Sequence, residues 1–260
     1  HVVTVGDYAF FQAEQLTDVP FSSETVTVGE GAFSYCEKLT STTNMGAVTE
    51  IGDYAFMECD GLTEVVVPDS VVSLGVSAFR LCTGLEKVKL SDQITELSWW
   101  VFQECSELRE AELPVNLITI GESAFESCVS LVEIDIPDSV TLLYPNAFSG
   151  CESLEHISLP AALEGIGASC FYGCESLEEI ELPEGLRSIY QRAFEGCRSL
   201  TEIILPEGMY FSTAKEEEKQ YEGIFWECDA LTKVTLPDDM PLIPGSMFAF
   251  CTSLEEIEIP

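Results

Sequence analysis

Residues 166–183 read IGASCFYGCESLEEIELP, and this stretch sets Phe171, Cys174 and Leu177 at steps of three before Ile180 and Leu182 alternate into Pro183. The same phrase recurs along the chain. Cysteine returns every 23 residues at Cys36, Cys59, Cys82, Cys105, Cys128, Cys151, Cys174 and Cys197, then at Cys228 after a step of 31, and at Cys251. Three residues before each stands a phenylalanine, from Phe33 to Phe248, and three after each a leucine, from Leu39 to Leu254. A first copy, Phe10, Ala13 and Leu16, has alanine in the cysteine place and brings the number to eleven.

Counting from each cysteine, aliphatic residues fall at +6 and +8, proline at +9, aliphatics at +12 and +15, often glycine at +16, and usually alanine at +19. The +6/+8 alternation is strand periodicity, with +5 and +7 on the opposite face. Proline ends the strand because it has no N–H for a ladder. Phe, Cys and Leu at steps of three match a tight turn near the 3₁₀ period. Each copy therefore reads as strand, turn, short extended piece and helical turn. One such unit has no partner for its apolar face, so the copies must stack around a shared core. The expectation is a right-handed solenoid with a parallel sheet on one curved face and short helical or 3₁₀ turns on the other. At about 4.8 Å per strand, eleven coils span about 50 Å.

The pattern Leu-x-x-Ile-x-Leu-Pro at Leu177 to Pro183, with Ile-Gly-x-x-Ala-Phe-x-x-Cys at Ile166 to Cys174 and Cys170 in the alanine place, resembles the BspA-type leucine-rich repeats of the Treponema pallidum class. The resemblance covers essentially the whole chain. It implies a cell-surface or extracellular protein with an adhesion-like role. Departures from the pattern are local. The second repeat has Thr42, Asn44 and Met45 where aliphatics and proline belong, and Asn44 at an inward place implies a hydrogen-bonded exception or a looser coil. The fifth has Ala111 at +6 and is entered through Trp99-Trp100. Eight extra residues enter near 207–222, a loop with the solvated run Lys215-Glu216-Glu217-Glu218-Lys219. His1-Val2-Val3 begins in mid-repeat and Pro260 stops at a strand end, neither offering a polar cap. Residues 1–260 thus read as a single solenoid domain belonging to something longer.

With 46 acidic residues against 11 Lys and Arg, the chain carries −35, yet 46% of its residues are apolar, enough to form a core. That charge argues against tracking nucleic-acid phosphates or adhering to an anionic membrane. No apolar run approaches the roughly 18 residues of a membrane span.

Eleven cysteines invite a disulfide or zinc reading. The count is odd, and same-column thiols on adjacent coils have nearly parallel Cβ vectors about 4.8 Å apart, where a bridge needs about 3.8 Å. A 23-residue step also lays ligands on a line, where zinc needs convergence on a point. Buried thiols acting as small hydrophobes are expected. Catalytic machinery is sparse: the histidines are His1 and His156, and no phosphate-cradling or metalloprotease motif occurs. No cofactor is expected.

Specificity in a repeat protein resides in what varies between coils. The outward +5/+7 pairs read Asp18/Pro20, Ser41/Thr43, Glu64/Val66, Lys87/Lys89, Glu110/Glu112, Glu133/Asp135, His156/Ser158, Glu179/Glu181, Glu202/Ile204, Lys233/Thr235 and Glu256/Glu258. Lys87/Lys89 beside Glu110/Glu112 is a favourable cross-strand pairing, whereas Glu110 against Glu133 and Glu112 against Asp135 sets like charges opposite. Two readings stand: a merely solvated face, or a docking surface of Lys87, Lys89, Glu110, Glu112, Glu133, Asp135, His156, Glu179 and Glu181 for a basic protein or matrix partner. Rigid strands disfavour wrapping a calcium ion. Trp99 and Trp100, on the convex turn where other coils have small or polar residues, form either an exposed hot spot or a packing pair. A monomeric, non-enzymatic binding solenoid is the expectation; a structural spacer, or a carbohydrate-active enzyme using paired acids, are the alternatives.

Overall fold

A computed structural model describes residues 2–19, 21, 23–41, 45–210 and 222–259. Thr42 to Asn44, His1, Pro20, Pro260 and the Lys215–Lys219 run lie outside the described residues. The architecture is a parallel β-solenoid with two ladders running along the stack.

The front ladder is built where outward +5 and +7 residues, polar except at Val66 and Ile204, flank an inward aliphatic. Its three-residue strands are Glu64–Val66, Lys87–Lys89, Glu110–Glu112, Glu133–Asp135, His156–Ser158, Glu202–Ile204, Lys233–Thr235 and Glu256–Glu258. Pairing is parallel and one coil apart, Glu64 with Lys87, Lys87 with Glu110 and Glu133 with His156. Glu202 pairs with Lys233 across the 31-residue step, so the insertion leaves the register intact.

The second, or side, ladder consists of two-residue strands at +14/+15. They run Thr4–Val5, Thr27–Val28, Glu50–Ile51 and Ser73–Leu74, then Glu96–Leu97, Thr119–Ile120, Leu142–Leu143, Gly165–Ile166 and Ser188–Ile189. The short extended piece read from the sequence is thus a paired ladder whose +15 residue points into the core. The glycine after it permits close approach of the preceding coil. A Cβ on Gly75 would lie 2.3 Å from Asp53 N, and one on Gly121 only 2.4 Å from Leu97 O.

Inside, the phenylalanines form one continuous stack. Consecutive ring centroids from Phe10 to Phe248 are 5.2–5.7 Å apart, near the strand spacing, with planes within 20° of parallel. All eleven cysteines are unpaired, and all but the half-buried Cys251 are buried. Their column has a second use besides filling space. Each of the ten thiols from Cys36 to Cys251 in this column, Cys170 standing outside it, donates to the carbonyl of the phenylalanine one coil back, as Cys59 Sγ to Phe33 O at 3.1 Å and Cys128 Sγ to Phe102 O at 3.2 Å. That carbonyl also accepts its own coil's amide, Cys36 N–H to Phe33 O at 3.2 Å. Burial pushes the Cys82 and Cys151 thiols up to about 12.

The turn differs from the expected 3₁₀ segment. The three-residue hydrogen bonds are present, Cys36 N–H to Phe33 O and Leu39 N–H to Cys36 O, but among the described residues they join into no helix. The residues one and five before each cysteine have positive φ, for instance Tyr54 at 56° and Glu58 at 56°. This interrupts the winding and turns alternate amides along the stack: Tyr54, Phe56 and Glu58 donate to Val76, Ala78 and Arg80 of the next coil, Ala55 and Met57 back to Gly52 and Tyr54 of their own. The turn side is therefore a third, non-β ladder.

Candidate functional site

The front ladder is closed between Lys87–Lys89 and Glu110–Glu112, where outward charges are opposite, and open between Glu110–Glu112 and Glu133–Asp135, where they match. Lys87 Nζ lies 2.5 Å from Glu110 Oε2 and Lys89 Nζ 2.8 Å from Glu112 Oε2, with a longer Lys87–Glu112 contact at 3.7 Å. These carboxylates raise the ammonium pKa of both lysines, and Lys89, more than Lys87, lowers that of Glu112. Lys233 and Glu202 repeat the arrangement at 2.7 Å. One coil on from Glu110–Glu112 the pairing stops. Arg109 N–H reaches Glu86 O and Leu90 N–H reaches Glu112 O, but among the described residues Val132 and Leu113 make no equivalent bonds to Arg109 and Asp135.

Two features of the sequence account for this opening. Glu110 faces Glu133 and Glu112 faces Asp135, and directly opposed like charges destabilise a rung. Ala111 also supplies less inward volume than Val65 or Val88 at the same place, and Leu113 is left partly exposed. The result is a groove of about 560 Å³ walled by Glu110, Glu112, Glu133 and Asp135 over a floor of Ala111, Leu113 and Ile134.

Further along, Glu179 and Glu181 lie on an extended segment outside any strand. On one side they border a groove of about 350 Å³ with His156 and Ser158, on the other one of about 460 Å³ with Glu202 and Ile204. Among the described residues no ion pair holds Glu133, Asp135, Glu179 or Glu181. Nor does any group of three His, Cys, Asp or Glu there converge as metal ligands do. The arrangement presents negative charge along partly apolar clefts and aligns no nucleophile with a base.

Trp99 and Trp100 stand apart from this face, between the side ladder and the turn. Their rings meet edge to face at 6.0 Å. Trp99 is exposed, and Trp100, at φ 58°, is partly buried. Arg109 and Asp138 at the rim of the first groove, and Tyr144 near Trp99, were not singled out by sequence reasoning. For Tyr144 the signal was a tyrosine in the glycine column.

A family model for the BspA type leucine rich repeat region (6 copies) matches residues 1–109, 100–215 and 211–260. Among solved structures, a leucine-rich repeat protein of Bacteroides ovatus is 26% identical, with 97% of this chain and 81% of that one covered and a TM-score of 0.50. A leucine rich cell surface protein of Faecalibacterium prausnitzii is 25% identical over 97% of this chain and 75% of that one, TM-score 0.56. A Treponema pallidum leucine rich repeat protein is 32% identical over 67% of this chain and 78% of that one, TM-score 0.57. No curated protein matches the chain.

Proposed function

The chain belongs to the BspA-type leucine-rich repeat family, and on that premise we propose that it is a monomeric, non-enzymatic binding solenoid, carried on the cell surface or released outside the cell, whose front ladder docks a basic protein or matrix partner. The supporting observation is the groove between Glu110–Glu112 and Glu133–Asp135, where the carboxylates of Glu133 and Asp135, held by no ion pair among the described residues, face those of Glu110 and Glu112 across an apolar floor. Lysine and arginine fit such a cleft because their stems cover apolar surface while their heads meet carboxylates. Lys87, Lys89 and His156 bound the acidic stretch and set the register of the partner. The cell-surface description of the Faecalibacterium prausnitzii relative supports the location.

A decalysine peptide is a suitable probe. Neutralising the groove with Glu133→Gln and Asp135→Asn is expected to weaken its binding at least about tenfold and to flatten the salt dependence, since rim charges act mainly through steering. Unchanged affinity and salt slope would reject the docking face and leave the spacer reading, which has no saturable partner.

A further inference from the structure

Every coil tells what the fold itself requires at each place, so residues that depart from their own column need another reason. From Gly6 to Tyr190 the +16 column is glycine except at Ser98, Tyr144 and Tyr190, and Trp99 is the sole aromatic among the +17 residues. The fold does not need these side chains. A Cβ in the +16 column meets neighbouring backbone at 2.8 Å or closer at Gly52, Gly75 and Gly121. Three of the departures, Ser98, Trp99 and Tyr144, nevertheless converge. They line one depression of about 300 Å³ on the side ladder, together with Glu96, Thr119 and Gly121.

The geometry follows from the repeat. Trp99 comes from one coil and Tyr144 from the next coil but one, and both line the depression together with Gly121 of the coil between them. Trp99 Cδ1 is 3.1 Å from where a Gly121 Cβ would sit, and both rings remain open to solvent, Trp99 at 50% and Tyr144 at 37%. The side ladder itself is interrupted beside the slot, between Ser73–Leu74 and Glu96–Leu97, where the Ser98 hydroxyl donates to Leu74 O. Aromatic faces carry negative potential and attract a cation placed over them. The Glu96 carboxylate at the mouth adds a counter-charge, and the −35 field of the whole chain concentrates cations at its surface.

We propose that this slot takes the cationic side chain of a lysine or arginine on a partner, held between Trp99 and Tyr144 with Glu96 as its counter-ion. It deepens the binding role proposed above, but it lies on the other ladder from the front-face carboxylates, so the two readings fail separately.

The probe is arginine amide, titrated against the full chain carrying Trp226→Phe so that emission reports Trp99 and Trp100. Saturable quenching with a dissociation constant of about 1 mM is expected, with no response to the neutral isostere citrulline amide. Tyr144→Gly restores the column residue and so retains the fold; it and Glu96→Gln are each expected to weaken binding about fivefold to tenfold. Glu133→Gln with Asp135→Asn should leave this titration unchanged even where it abolishes decalysine binding. Equal responses to citrulline amide or methyl glucoside, wild-type affinity in Tyr144→Gly, or no saturation by about 50 mM would each overturn the assignment.

Discussion

Two adjoining stretches of the front ladder, Lys87–Lys89 against Glu110–Glu112 and Glu110–Glu112 against Glu133–Asp135, share one interior and differ outside. Beneath both run the same phenylalanine stack and the same thiol-to-carbonyl bonds, Cys105 to Phe79 and Cys128 to Phe102 at 3.2 Å each. Outside, the first pair sets lysine against glutamate and is hydrogen-bonded; the second sets acid against acid over Ala111 and is open. The core keeps the coils in register across both stretches, while like outward charges over the small Ala111 accompany the loss of the strand bonds in the second. Function is free to vary on rungs that stability does not depend on.

The comparison breaks first if the interior is not common to both stretches. Phe79→Ala under the closed rung and Phe125→Ala under the open one should each cost about 3–5 kcal/mol in chemical denaturation. A clear difference between them would assign the opening to the core. Next, Glu133→Lys with Asp135→Lys replaces the like charges opposite Glu110 and Glu112 by opposite ones. Amide exchange at Val132 and Leu113 should slow about tenfold as the rung closes, while wild-type exchange rates would show that charge is not the cause.

A smaller effect tests the turn side. Ser127 has φ 60°, where the next three coils have Gly150, Gly173 and Gly196. Ser127→Gly should stabilise the fold by about 0.5–1 kcal/mol by removing a side chain from the left-handed well, without changing exchange at the groove. The least effect concerns the closed rung. The lowered carboxyl pKa of Glu112 makes its contribution present above about pH 4.3, the unfolded value, and lost as pH falls through the folded one. The raised ammonium pKa of Lys89 makes its contribution full below about pH 10.4 and lost as pH rises through the folded value. Melting curves of wild type and Lys89→Gln should therefore differ between those limits and converge outside them.

The interior was legible because it is written in side chains: Phe, Cys and Leu at steps of three and aliphatics at +6 and +8 are volume requirements repeated coil after coil. The side ladder was not, since strands such as Ser73–Leu74 and Glu96–Leu97 are too short to show an alternation. The turn misled for a related reason. Three-residue spacing resembles a 3₁₀ helix, and nothing in Tyr54, Leu81, Trp100 or Arg192 announces the left-handed backbone they adopt. The like-charged rungs could be read from the columns, but the groove also needed Ala111 and its neighbours in place. The pairing of Trp99 with Tyr144 needed the coil geometry outright, because it joins residues 45 positions apart through a glycine that shows nothing by itself.

The thiol column has a kinetic side as well. If the chain works outside the cell, as proposed above, eleven unpaired cysteines put folding in a race with oxidation while the chain is still unfolded, when every thiol is open to attack. Stacking shortens that race. Each coil closes onto its immediate neighbour, so a thiol is withdrawn from the solvent as soon as the coils on either side are in place, and ahead of completion of the stack. Cys251, in the last coil, is half-buried, and its thiol pKa is lowered by contact with Cys228.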